Sequence, residues 1–350
     1  MTAAECPAAA RAGLHWQEMA HVDTPSLSRL RLRTVSMRTL QRAAVATLVI
    51  LWLVVTTGGL VRLTASGLGC PHWPTCQAHG IVPQDSSHAL IEFSNRAISG
   101  IAMLAAVATA IMAYRVAGVD RRIAHALALA AAGTVAQVPL GAITVAFDLN
   151  PYLVMSHFLL AMAVVSLSTW ATVAVFRPEA ARSIVGGRIG LLAWAAVVVY
   201  LALIVSGAFV TAAGPHPGST TTPIERIGNF YDAAWVHVRV ATTFTVLLVA
   251  LSIWLWKRFR GASAQRLSIV AVVLLGCQAA VGEYQYRNGL PWDVIAMHVA
   301  LAATLLITVV MIASLVGALA GRGDQPSRAE IQPHLVLPGD AVRAAPGKHP

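Results

Sequence analysis

Gln278-Ala-Ala-Val-Gly282-Glu-Tyr-Gln-Tyr-Arg-Asn-Gly-Leu290-Pro-Trp-Asp-Val-Ile-Ala-Met-His298 occurs twice in outline in this chain. Moved back by 141 positions it falls on Gln137 to His157 without a gap: Gln278 lands on Gln137, Gly282 on Gly141, Leu290 on Leu149 and His298 on His157. Four identities in 21 positions would be modest on their own. In both copies, however, the Gln and Gly close one apolar run and the His lies just inside the next. A self-similar spacing of this kind predicts a duplicated unit. Each half would then present a histidine at matched depth.

Composition says what the unit is. The 350-residue chain is 57% apolar and 11% charged, and its charges gather between long apolar runs. A water-soluble protein of this length could not carry that pattern on its surface. A helix that crosses the hydrocarbon core needs about 20 apolar residues. Eight runs qualify, at roughly 43–63, 92–114, 123–146, 153–176, 188–211, 233–256, 267–283 and 293–319, the seventh being the shortest. The expected fold is an all-α polytopic membrane protein: eight transmembrane helices in two pseudo-symmetric four-helix bundles.

Orientation follows from the cations. Arg29, Arg31, Arg33, Arg38 and Arg42 precede the first run, and Arg115, Arg121 and Arg122 separate the second from the third. Arg177, Arg182 and Arg188 lie between the fourth and fifth, and Lys257, Arg258, Arg260 and Arg266 between the sixth and seventh. The alternate loops are poorer in cations, so both termini are expected in the cytoplasm of a cell whose plasma membrane the chain crosses repeatedly. This topology and anionic lipid account for the formal charge of +10 without nucleic acid.

The match of Thr64-Ala-Ser-Gly67 with Thr211-Ala-Ala-Gly214 pairs the first run with the fifth. The halves are therefore 43–176 and 188–319, joined by a cytoplasmic linker at 177–187. Each half holds an even number of spans, so the repeats are parallel. A cytoplasmic arm at 1–42 has no short apolar core with a cleavage site; its Leu27, Leu30, Leu32 and Val35 either lie on the inner membrane surface or are disordered. The tail at 320–350, rich in Pro, Gly and charge, is expected to be disordered.

The loop after the first run reads Thr64-Ala-Ser-Gly-Leu-Gly-Cys70-Pro-His-Trp-Pro-Thr-Cys76. Two cysteines that close together on the oxidising side of a membrane can form a disulfide. It would staple a Pro-rich loop, or, if the ring is strained, act as a redox pair. Cys6 and Cys277 have no evident partner, and Cys277 fits as a small apolar residue.

Alignment of the second run with the sixth puts Asn95 opposite His237. Four related positions result, Asn95, His157, His237 and His298, each near the outer start of an even-numbered span. Ionisable groups within spans are costly and usually face the bundle interior. A single one is often just a hydrogen-bonded polar residue, but two in one half can form a cofactor site on facing helices. His237 and His298 have the chemistry of the two axial ligands of a haem iron. No Cys or Asp beside them suggests tetrahedral zinc. In the first half His157 lacks that partner, unless His88 reaches in from the loop. Glu92 shares a face with Asn95, one turn before it. It either favours the positive helix end or handles protons at an open site. Arg62, Arg96 and Arg239 at the outer face can hold propionates or snorkel to the interface.

These residues together resemble one family. Gly58-Gly-Leu-Val-Arg62-Leu-Thr64, Ser66-Gly-Leu-Gly-Cys70-Pro-His-Trp73-Pro-Thr-Cys76, Ile91-Glu92-Phe93 followed by Arg96, and the even-span histidines are similar to those of haem A synthases. The resemblance covers all eight runs. It implies oxidation of the C8 methyl of haem O to a formyl group by successive hydroxylations, giving haem A for terminal oxidases. It also implies a haem b in the second half with His237 and His298 as ligands. Haem O would sit in the first half beside His157, with Glu92 as an important carboxylate and Cys70–Cys76 as the outer-loop pair. Haem O synthase and oxidase assembly factors are the implied partners, and the electron donor is open. One position departs: the family's Glu-x-x-His is Glu92-Phe-Ser-Asn95 here. That leaves a five-coordinate substrate iron, a water ligand or His88 as alternatives. A bis-histidine electron-carrying cytochrome b, and a haem or lipid transporter without chemistry, use similar parts and stay open on sequence alone.

Overall fold

The computed structural model describes residues 35–70, 72, 73, 75–77, 83, 86–182 and 187–323. Arg29, Arg31 and Arg33, the leucine pattern of the N-terminal arm, Cys6, the centre of the linker and the tail beyond Gly323 lie outside the described residues. Every element among the described residues is helical: α1 Met37–Leu63, α2 Ser87–Arg115, α3 Arg121–Ala146, α4 Pro151–Phe176, α5 Glu179–Arg182, α6 Gly187–Ala213, α7 Phe230–Arg258, α8 Ser263–Arg287 and α9 Trp292–Gly323. All but the single-turn α5, which lies in the linker, are long and apolar enough to cross a membrane. The expected eight spans are thus present. Side chains such as Leu104, Leu129, Val198 and Val273 point outward, as lipid requires and water would not tolerate.

The helices start earlier than the apolar runs, five of them at polar caps. Ser36, Ser86, Asp120, Asn150 and Asn229 each accept a hydrogen bond from a first-turn amide with their side chains. Each cap satisfies an amide that no helical carbonyl can reach. Pro151 follows its cap at a position where a missing N–H costs nothing. The seventh apolar run gains a full 25-residue helix, α8, by including polar residues at both ends. A Glu283–Arg287 pair one turn apart supports its last turn.

Neighbour relations define two closed rings. In the first, α1 packs on α2, α2 on α3, α3 on α4 and α4 on α1; in the second, α6, α7, α8 and α9 follow the same order. This arrangement is consistent with duplication. The rings meet through α1, α4, α6 and α9. A core of Phe244, Leu248, Leu251, Leu255, Leu305, Leu306, Val309 and Ile312 occupies the second ring and the seam. The Trp52 indole donates to Thr304 Oγ1 across that seam at 3.0 Å, and within the second ring the Tyr200 hydroxyl donates to Ala302 O at 2.8 Å. A separate cluster in the first ring is mostly alanine, with Ala106, Ala110, Ala113, Ala124, Ala131, Ala171 and Ala174.

The repeat that opened the sequence is visible in the backbone. Leu149 and Leu290 both adopt left-handed φ, 56° and 63°, each after another residue of positive φ, Asp148 and Gly289. A branched side chain rarely takes that region. Here it ends a helix, and the Leu149 N–H donates to Thr144 O at 2.9 Å while the Leu290 N–H donates to Gln285 O at 2.8 Å. Those six-to-one bonds satisfy carbonyls that the helix end leaves open.

Candidate functional site

Within each ring the second and fourth helices stand at opposite corners, since each touches the first and third. His237 on α7 and His298 on α9 therefore belong to diagonal helices of the second ring, and Asn95 on α2 and His157 on α4 to those of the first. Each of the four packs against a glycine of the preceding helix. A Cβ on Gly207 would lie 3.0 Å from His237 Cε1, on Gly282 3.3 Å from His298 Cε1, and on Gly141 3.3 Å from His157 Cε1; on Gly58 it would lie 3.9 Å from Asn95 Oδ1. The glycines leave room for an imidazole ring between two helices. His237 and His298 lie within electrostatic reach of each other.

Hydrogen bonds repeat the pattern. Gln137 Nε2 donates to His157 O and Gln278 Nε2 to His298 O, both at 3.1 Å. Ser206 Oγ is 2.9 Å from His237 Nδ1, and Thr57 Oγ1 is 2.8 Å from Asn95 Oδ1. Thr57 and Ser206, each just before its glycine, were missed in reading the sequence, although the pairs Thr57-Gly58 and Ser206-Gly207 carry a visible signal. Nδ1 of His157 and of His298 is buried without a partner among the described residues. Among the described residues no group of three or more His, Cys, Asp and Glu side chains could hold a metal ion by itself. Two diagonal imidazoles with glycine-made space around them fit a haem iron, which brings four of its own nitrogens.

Around the Cys70 loop a different structure forms. Cys70 and Cys76 are disulfide-bonded. Buried Glu92 accepts a hydrogen bond from the Cys70 N–H at 2.8 Å and pairs with Arg96. Arg96 also donates to His72 O at 2.8 Å and Thr75 O at 3.2 Å. The carboxylate and the guanidinium together clamp the disulfide loop onto α2. Since α2 begins at Ser87, Glu92 sits in its second turn, beyond the reach of the helix-end charge. Nδ1 of His88 is 2.9 Å from Ser66 Oγ, which ties that side chain to the same loop.

Gly69 is part of this clamp. A Cβ there would stand 2.7 Å from the His88 carbonyl carbon and oxygen and 2.8 Å from the Ala89 nitrogen, all backbone atoms that cannot step aside. Gly69→Ala is expected to lower stability by about 1–3 kcal/mol, the usual range for overpacking. Thermal unfolding in detergent checks it; an unchanged midpoint would mean that the loop does not need this close approach.

The three arginines expected at the outer face have separate fates. Arg96 is spent on the loop. Exposed Arg239 lies over the Trp235 ring, 3.2 Å from its centroid, in a cation–π contact. Arg62 reaches across to the second ring and donates to Thr211 O at 2.6 Å. There it is joined by Arg226, which sequence reading did not single out and which donates to the same oxygen at 2.8 Å.

A family model described as cytochrome oxidase assembly protein, COX15-CtaA, matches residues 41–90 and 82–311. The chain belongs to this family, the haem A synthases. Within it, the haem A synthase of Lysinibacillus sphaericus strain C3-41 is 27% identical over 290 residues, covering 77% of this chain and 92% of its own length. The haem A synthase of Listeria monocytogenes serotype 4a is 28% identical over 282 residues, covering 76% and 90%. A Thermus thermophilus protein named protohaem IX farnesyltransferase is 30% identical over 294 residues, 76% of this chain but 47% of its own length. As a COX15-CtaA protein, this chain carries histidine at 157, 237 and 298 and asparagine at 95.

Proposed function

We propose that this chain is a haem A synthase of the cell membrane, with both termini in the cytoplasm, which oxidises the C8 methyl of haem O to a formyl group by successive hydroxylations. The observation that carries this reading is the asymmetry of two similar rings in a member of the family: a complete diagonal histidine pair in one and a single histidine opposite Asn95 in the other. His237 and His298 would hold haem b as a resident cofactor, and a bis-imidazole haem supplies one-electron transfer without an open coordination position. The first ring would take haem O as substrate.

In that ring His157 fixes the substrate from one side. On the other side Asn95, bonded to Thr57, stands where its counterpart His237 would ligate, and an amide is a poor iron ligand. His88 is held by Ser66 at the loop, which favours a single protein ligand on the substrate. Glu92 is one turn from Asn95 and buried. Its carboxylate can stabilise positive charge that develops on the methyl carbon, or accept the proton that leaves it. Its bonds to Arg96 and Cys70 hold it in place for either role. Apolar side chains between helices would accommodate the substrate's long tail. The name of the Thermus relative, protohaem IX farnesyltransferase, of which the matched region is less than half, supports a farnesylated haem as the substrate and an enzyme that attaches the farnesyl group as a functional partner. Oxidase assembly factors are the expected recipients of the product.

The test is to express the protein in a host that supplies haem O, purify it in detergent and identify extracted porphyrins by mass. Haem A, or its hydroxymethyl precursor, beside haem b is the expected result. Haem b alone beside unconverted haem O would favour an electron-carrying cytochrome, and no retained haem a transporter. Glu92→Gln should leave the haem b spectrum in place and reduce conversion by about 100-fold or more, within the usual effect of losing a general base. Normal conversion together with lowered stability would leave Glu92 only its clamp on the disulfide loop.

A further inference from the structure

Two guanidinium groups, one from each ring, share one carbonyl oxygen, Thr211 O. Among the described residues the ion pairs are Glu92–Arg96 and Glu283–Arg287, so neither Arg62 nor Arg226 is neutralised by a carboxylate there. Nε of Arg226 is buried with no acceptor among the described residues. Partial burial also pushes the Arg226 guanidinium below its ordinary range. A charged donor left in this state calls for an acceptor that the described residues do not supply.

Arg226 lines a recess of about 670 Å³ together with Pro215, Phe230, Tyr231, Tyr286 and Leu290, a volume suited to an organic ligand. The rings of Phe230 and Tyr286 stack at 15°. Phe230 lies seven positions before His237, two turns along the same face of α7, and Tyr286 lies one turn beyond Gly282, against which His298 packs. The recess therefore lies at the ends of the helices that carry and flank the His237–His298 pair, and neither histidine lines it. Flat apolar walls with a cation at the edge match a flat apolar ligand that carries acidic groups on one side.

We infer that Arg226, backed by Arg62 from the other ring, anchors the carboxylate edge of the porphyrin held by His237 and His298. The inference rests on the haem b reading of that pair. Arg226 is a positioning residue: its guanidinium sets the rotation of the porphyrin in its plane, and the shared Thr211 oxygen couples that anchor to the first ring.

The experiment strips haem b from the purified protein and reloads it with haem b or with its dimethyl ester, in which both carboxylates are blocked. Wild type is expected to prefer the free acid by about tenfold or more, the size of one charge-assisted hydrogen bond. Arg226→Gln should remove most of that preference and lower the midpoint potential while keeping the bis-imidazole spectrum. Arg226→Lys should restore part of it. Equal binding of acid and ester by wild type, or an unchanged preference in Arg226→Gln, would overturn the inference. So would loss of co-purified anionic lipid from Arg226→Gln without any change in haem preference, since the guanidinium would then serve a lipid phosphate. A wild-type protein with no bis-imidazole spectrum at all would instead refute the histidine assignment, and the anchor with it.

Discussion

His298→Ala protein is expected to lose the low-spin bis-imidazole spectrum of its second ring altogether, and to recover part of it when imidazole is added. The position is built for a ring. Gln278 holds the His298 carbonyl at 3.1 Å, and Gly282 leaves a space beside Cε1 that any larger residue would fill. Alanine keeps the helix and leaves a hole of imidazole size, which added imidazole can enter. A residue with a purely structural role would not show that rescue. His237→Ala should behave alike, with Ser206 left beside the hole. Absorption spectra of purified protein decide the matter, with circular dichroism as the control for folding. A low-spin spectrum that survives both substitutions would remove the ligand assignment.

Asn95→His has the second large expected effect, and it tests the other ring. Thr57 stands at 2.8 Å from Asn95 as Ser206 stands at 2.9 Å from His237. Gly58, like Gly207, leaves the space beside the side chain open. The site therefore has the hydroxyl and the room that an imidazole needs. Protein loaded with haem in both rings should show about double the bis-imidazole signal after the substitution, because one more iron gains a second ligand. Binding of carbon monoxide to the reduced protein, expected for wild type, should fall by about tenfold or more. If wild type binds no carbon monoxide while carrying two haems, the single-ligand reading of the first ring is wrong.

Much of this architecture was legible without coordinates, for reasons that are local. Eight spans could be counted because lipid forces each backbone segment to satisfy its own hydrogen bonds, so length and hydropathy suffice. The Gln–Gly–His repeat was legible because its members lie on two adjacent helices joined by a short turn. The same side-chain bond and the same left-handed leucine then recur in both copies. The disulfide was legible because ring size is a matter of sequence separation. Caps escaped the hydropathy reading, since Ser86 and Asn229 are polar and precede the apolar runs they start.

The partners of the polar side chains were not legible. Arg96 looks as free for a propionate as Arg62 does, yet one closes on the Cys70 loop and the other crosses to the second ring. Glu92 gave no sign that its acceptor oxygen would meet the Cys70 amide. Arg226, in a loop without a repeat signature, became a candidate only when Arg62 arrived at the same carbonyl. Sequence alone determined the number of spans and the Gln–Gly–His spacing that recurs in both halves, because those depend on transfer of each segment into lipid and on spacing along the chain. Only the tertiary structure decided which donor meets which acceptor. Such pairs join residues far apart in the chain, and they depend on how each helix is rotated against its neighbours, which packing of the whole bundle sets.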